Sequence, residues 1–225
     1  MSGERAFPDP TKLADPDGFV RANTRLQTSP LVPELPLYLA DELTPLWHAT
    51  EESVGAVGLE PPFWAFAWPG SQAMARWMLD HPEEVRGRRV LDIGTGGGLA
   101  AIAAARVGAH ARGNDVDPMA LVAARLNAAV NNVVIDWVCG DLVDTDVDAE
   151  VVIIGDLCYE RALSARLLAW LHRLARTRRV LMAEPGRAFA PRGGVLPLAS
   201  FVVPTGLDLE NTTERTVVLL EIEPG

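Results

Sequence analysis

The sequence has few cysteines, no long apolar run and no apolar leader segment. Its two cysteines, Cys139 and Cys158, lie in no CxxC pair and beside no histidine cluster, which favours reduced thiols over a zinc site. No apolar run approaches the ~20 residues that a membrane-spanning helix needs, and the first residues lack the apolar core of a signal peptide. We therefore expect a cytoplasmic chain without a metal site.

Basic residues are also scarce, since 20 Lys and Arg stand against 30 Asp and Glu, for a formal net charge of −10 at pH 7. A field of that sign repels phosphate backbones and anionic lipids, so neither nucleic acid nor a membrane is an expected partner. It suits a cationic or neutral substrate, either a protein or a small molecule. Hydrophobic residues make up 48% of the chain, which is enough for a sizeable core.

The first part of the chain differs in pattern from the rest. Residues 1–18 are rich in Pro and Asp and predict a loose leader. We interpret residues 1–60 as a leader and helical extension packed on a main domain of residues 61–225. Three short elements are predicted in the extension: a helix over 19–28, an extended segment over 35–40 and a helix over 41–52.

The main domain shows alternating strand and helix patterns. The segment 150–155 is apolar at every interior position, as in a central parallel strand covered on both faces. This alternation predicts an α/β fold, a Rossmann-like and mostly parallel sheet of seven strands with helices on both faces, ending in an antiparallel hairpin. The predicted strands are 89–93, 109–114, 133–138, 150–155, 180–183, 198–203 and 216–222, and the predicted helices are 70–80, 98–107, 118–131 and 160–176.

The first predicted strand runs into the glycine-rich sequence DIGTGGG. Glycines allow a sharp turn and close approach of the backbone to a ligand, and the helix that follows favours negative charge at its N-terminus. The spacing is GxGxG, with Leu99 at the sixth position where the dinucleotide fingerprint has glycine. The carboxylate of Asp92, before the first glycine, would oppose a pyrophosphate and suit the ammonium group of a methionine-like tail. The loop with Gly94, Gly96 and Gly98 therefore favours S-adenosylmethionine over NAD.

Further acidic residues follow the next two strands. Asp115 is placed to accept hydrogen bonds from both ribose hydroxyls. Asp141 can accept one from the adenine amino group, with Leu142 packing beside the ring. Asp117 precedes Pro118 and is interpreted as a helix N-cap. An alternative is that the glycines serve only a tight turn and the acids only cap helices.

An aromatic segment, PPFWAFAWPG, lies upstream of the loop. Its rings alternate along the chain, so we expect Trp64 and Trp68 on one side and Phe66 on the other. Either these rings wall the cleft, with Trp68 beside the cofactor and Trp64 beside the substrate, or they pack in the core against the helix over 70–80. Gln72, near the start of that helix, is a candidate contact for the cofactor's carboxylate.

With these motifs the sequence resembles a class I methyltransferase. From about residue 19 to 222 it is similar, more narrowly, to the seven-β-strand protein-lysine methyltransferases, and among them to the branch that modifies the β subunit of electron transfer flavoprotein. It departs from that branch at Glu184, where Asp is usual, and at Cys158, where an aromatic residue is usual. The stretches that carry the resemblance are NT (23–24) with LVPE (31–34), PFWAFAW (62–68), DIGTGGG (92–98), DLCYE (156–160) and EPGRAF (184–189).

The resemblance implies that the protein is an S-adenosylmethionine-dependent N-methyltransferase, which releases S-adenosylhomocysteine. Its implied acceptor is an accessible lysine of a protein, such as the electron transfer flavoprotein β subunit or a ribosomal protein. The sequence is also similar to proteins labelled nicotinamide N-methylases, so a small-molecule acceptor stays open, as does a binding protein without turnover.

The DLCYE stretch follows the central strand, at the edge where open α/β sheets bind ligands. We expect Asp156 to accept a hydrogen bond from the substrate amine and Tyr159 to offer its ring face or hydroxyl; alternatively, Asp156 caps the next helix and Tyr159 only packs. Glu160 is either a first-turn acid or a substrate contact. Arg187, beyond the fifth strand, pairs with Glu184 or Asp156, meets an acidic substrate group, or forms a surface ion pair.

Overall fold

The computed structural model describes residues 6–41, 43–55, 59–206 and 210–225. The strands are β1 (Arg25–Ser29), β2 (Val32–Leu39), β3 (Arg89–Ile93), β4 (His110–Asp115), β5 (Asp136–Cys139), β6 (Val151–Gly155), β7 (Arg179–Glu184), β8 (Val195–Pro204) and β9 (Glu214–Ile222). The α-helices are α1 (Pro16–Asn23), α2 (Leu43–Val54), α3 (Pro69–Asp80), α4 (Leu99–Arg106), α5 (Pro118–Val130) and α6 (Arg161–Leu174).

One seven-stranded sheet, in the order β5-β4-β3-β6-β7-β9-β8, organises the chain. The first five strands of that order are parallel, and β9 and β8 continue the sheet as an antiparallel hairpin. The predicted seven-stranded α/β fold is therefore confirmed. The helices after β3 and β6 pack on opposite faces of the sheet, so a crevice opens at the carboxyl ends of these two neighbouring strands.

The side chains on the two faces of β6 belong to two separate hydrophobic clusters. Val151 and Ile153 face the cluster that contains α3 and α4, while Val152 and Ile154 face the cluster that contains α6. Consecutive side chains of a strand point to opposite faces, so a central strand covered by helices on both sides needs apolar residues throughout. This is the reason for the uninterrupted apolar run that predicted the strand.

The N-terminal extension contains a β-hairpin as well as helices, which corrects the prediction of a helix over 19–28. Asp15 caps α1 by accepting a hydrogen bond of 2.8 Å from the Gly18 nitrogen, and the helix ends at Asn23 because Thr24 has an extended backbone. The chain then enters β1, which pairs antiparallel with β2. Strand pairing prevailed over the local helical periodicity in residues 25–29, because pairing with β2 satisfies the backbone hydrogen bonds of this segment.

A single buried side chain ties this hairpin to the glycine-rich loop. The amide oxygen of Asn127, on α5, accepts a hydrogen bond of 2.7 Å from the Tyr38 nitrogen in β2. Its amide nitrogen donates to the carbonyl oxygen of Gly97 at 2.8 Å. The extension thus packs on the same helix that supports the loop, and it shares core residues such as Leu35 and Leu37 with α3 and α4.

Several predicted elements of the main domain differ from the structure in their bounds, and the third sheet strand is an example. The third sheet strand was expected over 133–138 but begins at Asp136, since Val134 is 94% exposed and outside the pairing. The longest of the α-helices given above, α6, has 14 residues. Across the described residues, no helix is both long enough and apolar enough to pass through a membrane.

Candidate active site

A cavity of about 780 Å³ lies at the carboxyl edge of the sheet, lined by segments that follow β3 to β7. Parallel strands bring their carboxyl ends to one edge, so loops distant in sequence meet there. Of the fourteen site residues predicted from the sequence, eleven line this cavity, whereas Asp92, Gly98 and Gln72 do not.

The glycine-rich loop forms one wall. Gly94 has φ +65° and Gly96 has φ +53°, in the left-handed region that favours glycine. A Cβ atom at Gly94 would lie 2.7 Å from a methyl carbon of Leu157. Gly98 does not line the cavity, and a Cβ there would meet Ala124 of α5 at 3.1 Å; its cofactor contact stays a prediction.

Asp115 stands on the cavity wall at the end of β4. One carboxylate oxygen accepts a hydrogen bond of 2.8 Å from the Gly96 nitrogen, and the other accepts one of 3.0 Å from the Asp117 nitrogen. Burial raises the pKa of Asp115. Asp117 itself caps α5 through a hydrogen bond of 2.8 Å from the Met119 nitrogen, as predicted.

Asp92 is buried below the loop, 4% exposed, and not on the cavity wall. Its carboxylate accepts hydrogen bonds from the Thr95 hydroxyl at 2.6 Å and from the Ala101 nitrogen of α4 at 3.2 Å. Side chains alternate along β3, so when Ile93 faces the cavity, Asp92 faces α4. The predicted direct contact with an ammonium group is therefore replaced by a role in shaping the loop, and burial raises the pKa of Asp92 to about 7.

Gln72 also lies away from the predicted position. Its amide nitrogen donates to the carbonyl oxygen of Ala67 at 2.7 Å, and its amide oxygen accepts from the Leu31 nitrogen at 3.4 Å. The side chain is 4% exposed and fastens the aromatic segment to the N-terminal hairpin. The Gln72 amide is therefore used within the protein and does not point to the cofactor's carboxylate.

Asp141 and Leu142 line the cavity beyond β5. Asp141 accepts a hydrogen bond of 2.9 Å from the Val143 nitrogen, and its second oxygen is paired with Arg166 of α6. This ion pair is close to half-exposed on both sides. Whether Asp141 also reads an adenine amino group stays a prediction.

Asp156 follows β6 with φ +59°, an uncommon backbone conformation for a residue other than glycine. One carboxylate oxygen accepts a hydrogen bond of 2.6 Å from the Gly70 nitrogen. The other accepts from Arg187 Nε at 3.2 Å and Nη2 at 2.6 Å. Burial raises the pKa of Asp156, against the opposing effect of the Arg187 charge. The N-cap of α6 is Glu160, which excludes the alternative that Asp156 caps this helix.

Arg187 has three neighbours with which it forms directional contacts. Its guanidinium group binds Asp156 and Glu210, with Nη2 at 2.6 Å from a carboxylate oxygen of each. The same group lies 5.7 Å from the ring centre of Trp68. Glu184 accepts a hydrogen bond from the Arg187 backbone nitrogen and not from its side chain. Of the two carboxylate pairs predicted for the Arg187 side chain, the structure shows the one with Asp156, and contact with an acidic substrate group stays a prediction.

Glu210 is a residue of this site that sequence analysis missed. It lies between β8 and β9, and its side chain is only 2% exposed. No motif surrounds it in the sequence, where it stands among other acidic residues. Only the burial of Arg187 points to Glu210, because a buried guanidinium group needs carboxylate partners nearby.

The aromatic segment both packs in the core and lines the cavity. Trp64 and Phe66 belong to one buried cluster with α5, so the expectation that alternation separates them is wrong. The cause is a short 3-10 helix over Phe63–Ala65, which removes the strand-like alternation. Trp68 is held by its indole nitrogen, which donates to the carbonyl oxygen of Phe63 at 2.8 Å. Tyr159 stands 44% exposed at the cavity.

These residues fit S-adenosylmethionine. The volume lies in the range of ~300–1,000 Å³ that small-molecule sites occupy. Left-handed glycines at Gly94 and Gly96 leave the wall without side chains, and the Asp115 carboxylate on the same wall suits ribose hydroxyls. Asp156 and Tyr159 occupy the side of the cavity that follows β6, where an acceptor would meet the donor.

Comparison with known proteins agrees with this geometry. Residues 71–155 match the family model of the ribosomal protein L11 methyltransferase, PrmA. The electron transfer flavoprotein beta subunit lysine methyltransferase of Xenopus laevis is 37% identical over 224 residues, covering 93% of this chain and 89% of that protein. The Homo sapiens protein of the same name is 37% identical over 191 residues, covering 82% and 70%.

Among solved structures, the fold is similar to that of magnesium protoporphyrin IX methyltransferase from Synechocystis PCC 6803 with bound SAM. The TM-score is 0.53 and the identity 18%, with 68% of this chain and 77% of that chain covered. At this level of identity the similarity concerns the fold. It places the seven-stranded sheet of this chain among methyltransferase folds.

Proposed function

Since this chain belongs to the family of electron transfer flavoprotein β-subunit lysine methyltransferases, it is a methyltransferase that uses S-adenosylmethionine, and we propose that its acceptor is a lysine side chain of a folded protein. The first candidate acceptor is the electron transfer flavoprotein β subunit, after which these relatives are named. A ribosomal protein is a second candidate of the same chemical class, in view of the PrmA match.

The observation that supports this function most directly is the position of two carboxylates on one cavity. Asp115 lies beside the glycine loop and Asp156 lies beyond the neighbouring strand β6. A nucleoside bound at Asp115 and an amine bound at Asp156 would share one cavity. When bound, S-adenosylmethionine supplies an electrophilic methyl group on its sulfonium sulfur.

Asp156 is suited to orient an amine. A carboxylate offers about four acceptor positions, and Gly70 and Arg187 together fill three of them. The remaining position can accept a hydrogen bond from the lysine nitrogen and hold its lone pair in line with the transferred methyl group. The nitrogen must lose its proton to solvent before transfer; burial of the amine favours its neutral form, against the opposing effect of the Asp156 charge.

The charges around Asp156 suit an acceptor that becomes a cation. Asp156, Glu184 and Glu210 stand against Arg187 and Arg215 in this cluster, so carboxylates outnumber guanidinium groups. A surplus of negative charge stabilises a methylated ammonium product.

Exposed aromatic rings favour a macromolecular acceptor. Phe63 is 38% exposed and Tyr159 is 44% exposed, and both line the cavity. Aromatic residues are enriched in protein interfaces, and the ring of Tyr159 can face a methylated ammonium group.

The test is methyl transfer from labelled S-adenosylmethionine to purified electron transfer flavoprotein β subunit, read by mass spectrometry of its peptides. Label on lysine that disappears with Asp156→Asn, and persists with the exposed control Asp148→Asn, supports the proposal. A parallel reaction offers nicotinamide. Transfer to nicotinamide with no transfer to any protein would contradict it.

A further inference from the structure

Glu210 is a buried carboxylate that touches the site from the C-terminal hairpin. One oxygen lies 2.6 Å from Arg187 Nη2, and the other lies 3.0 Å from Arg187 Nη1 and 2.9 Å from Arg215 Nε. Its backbone carbonyl oxygen accepts a further hydrogen bond of 3.0 Å from Arg215. The residue is therefore fixed at both its side chain and its backbone.

Glu210 does not line the main cavity, in contrast to Arg187 and Asp156. It lies instead in the wall of a second cavity of about 330 Å³, which Trp68 also lines. Glu210 can then affect the reaction through its contacts with Arg187 and through its charge near Asp156, but not by touching a ligand in the main cavity.

Arg187 transmits the position of Glu210 because it is held from three directions. Two of its nitrogens bind Glu210, two bind Asp156, and its central carbon lies 5.7 Å from the ring centre of Trp68. A planar guanidinium group that binds both oxygens of Glu210 and one oxygen of Asp156 with two N–H groups each has one orientation that satisfies both carboxylates. Loss of either carboxylate frees the group to rotate toward the other.

We propose that Glu210 is a positioning residue of the methyltransferase site, which holds Arg187 in the orientation that aligns the Asp156 carboxylate with the acceptor amine. The inference rests on the proposed function, because it takes Asp156 as the group that contacts the amine. In this role Glu210, located between β8 and β9, contributes to the reaction without contacting the cofactor or the acceptor.

The charge of Glu210 matters as well as its shape. Without that charge, Arg187 would act on Asp156 alone and would pair with it more strongly. Asp156 would then be a poorer hydrogen-bond acceptor for the amine. The pKa of Asp156 is raised in part by the charge of Glu210, so the same change would lower this pKa.

The matched variants are Glu210→Gln and Glu221→Gln. Glu221 is also a carboxylate of the C-terminal hairpin that accepts two hydrogen bonds from an arginine, Arg179. Arg179 begins β7, whereas the site lies beyond the end of that strand. A third variant, Glu210→Asp, keeps the charge and is one methylene shorter.

Steady-state kinetics with the protein acceptor provide the first readout. We expect Glu210→Gln to lower kcat by about tenfold or more, with the acceptor KM and the dissociation constant of S-adenosylmethionine within about threefold of wild type. Glu210→Asp should recover most of that loss, and Glu221→Gln should match wild type. In an Asp156→Asn background, Glu210→Gln should cost less than about twofold, because the residue acts through Asp156. An unchanged kcat in Glu210→Gln, or the same fold loss with and without Asp156, would overturn the assignment.

A second readout needs no acceptor and separates this inference from the proposed function. The Asp156 carboxyl group is followed by carbon NMR during a pH titration and assigned by its loss in Asp156→Asn. We expect Glu210→Gln to lower the pKa of Asp156 and Glu221→Gln to leave it in place. If wild type transfers no methyl group to any protein, the proposed function fails, but a lowered pKa would still support the link from Glu210 to Asp156. An unchanged pKa would refute that link.

Discussion

The backbone nitrogen of Gly70 lies 2.6 Å from a carboxylate oxygen of Asp156 and donates a hydrogen bond to it. This contact joins the first turn of α3 to the residue that follows the central strand. It explains why the aromatic segment ends in Pro69 and Gly70, since the helix must begin where its backbone can approach a buried carboxylate. The close approach also makes Gly70 a sensitive probe of the site.

Gly70→Ala is expected to impair transfer more than cofactor binding. An added Cβ would lie 2.4 Å from Asp156 Oδ2 and 2.8 Å from the carbonyl oxygen of Ala183, so the carboxylate must move. We expect kcat to fall by about 10- to 100-fold, with the dissociation constant of S-adenosylmethionine within about threefold. Gly193→Ala is the control, because nothing lies within 4 Å of a Cβ there. Equal losses in both variants would argue against the contact.

Asp156→Asn should separate chemistry from cofactor binding. The amide keeps the shape of the side chain but carries no charge and weakens the pair with Arg187. We expect kcat to fall by about 100-fold or more while calorimetry finds S-adenosylmethionine affinity nearly unchanged. A parallel loss of affinity would identify Asp156 as a cofactor contact or a structural residue.

Asp115→Asn should weaken the cofactor complex itself. A hydrogen bond to a charged acceptor contributes about 1.5–3 kcal/mol and one between neutral groups about 0.5–1.5 kcal/mol, and a difference of about 1.4 kcal/mol corresponds to about tenfold in the dissociation constant. Calorimetric titration provides the measurement. Asp136→Asn, whose exposed side chain pairs with Arg112 at the far end of β5, should bind like wild type. Unchanged affinity in Asp115→Asn would remove this residue from the cofactor site.

The free energy of unfolding of the cofactor-free protein should decrease as pH rises from about 4 to about 7, the interval between the ordinary and the raised pKa of Asp92. Burial raises the pKa of this carboxyl from 3.8 to about 7, so the folded state holds its proton more tightly than the unfolded chain. Its contribution to stability is complete below about pH 4 and is lost as pH approaches 7. Asp92→Asn should therefore reduce the difference in unfolding free energy between pH 5 and pH 8 by about 2–3 kcal/mol.

Urea unfolding at several pH values measures this difference. The exposed Asp148→Asn serves as control, since its partner Arg89 lies at the surface. Parallel pH curves for wild type and Asp92→Asn would show that Asp92 is not the group that titrates.

Much of the main domain could be predicted because its signals are local. The apolar run of β6 and the glycines after β3 each report the environment of a single segment. The first strand of the N-terminal hairpin was missed for the opposite reason. Strand β1 exists because it pairs with β2, and the sequence of residues 25–29 is mostly polar and has no strong strand pattern of its own.

The site residues also fall into those that a local sequence signal could place and those that it could not. Asp115 and Asp156 could be placed because each ends a strand, and the ends of parallel strands share an edge. Asp92 and Gln72 were predicted on the cavity wall, but the direction of a side chain depends on the faces of the strand and helix that carry it. Glu210 had no local signal, because its burial follows from its contacts with Arg187 and Arg215, which depend on how the C-terminal hairpin packs.

The sequence by itself determined the order of strands and helices in the main domain and the strand ends from which the acids project, and its motifs resemble those of a methyltransferase family. The strands and helices follow from hydrophobic periodicity and from glycine and proline at turns, which act over a few residues. The tertiary structure decided which of those acids face the cavity, which arginine neutralises Asp156 and which buried carboxylate lies behind that arginine. Such pairings require charged groups to be desolvated together, and only the packed sheet and its hairpin bring them within hydrogen-bond distance.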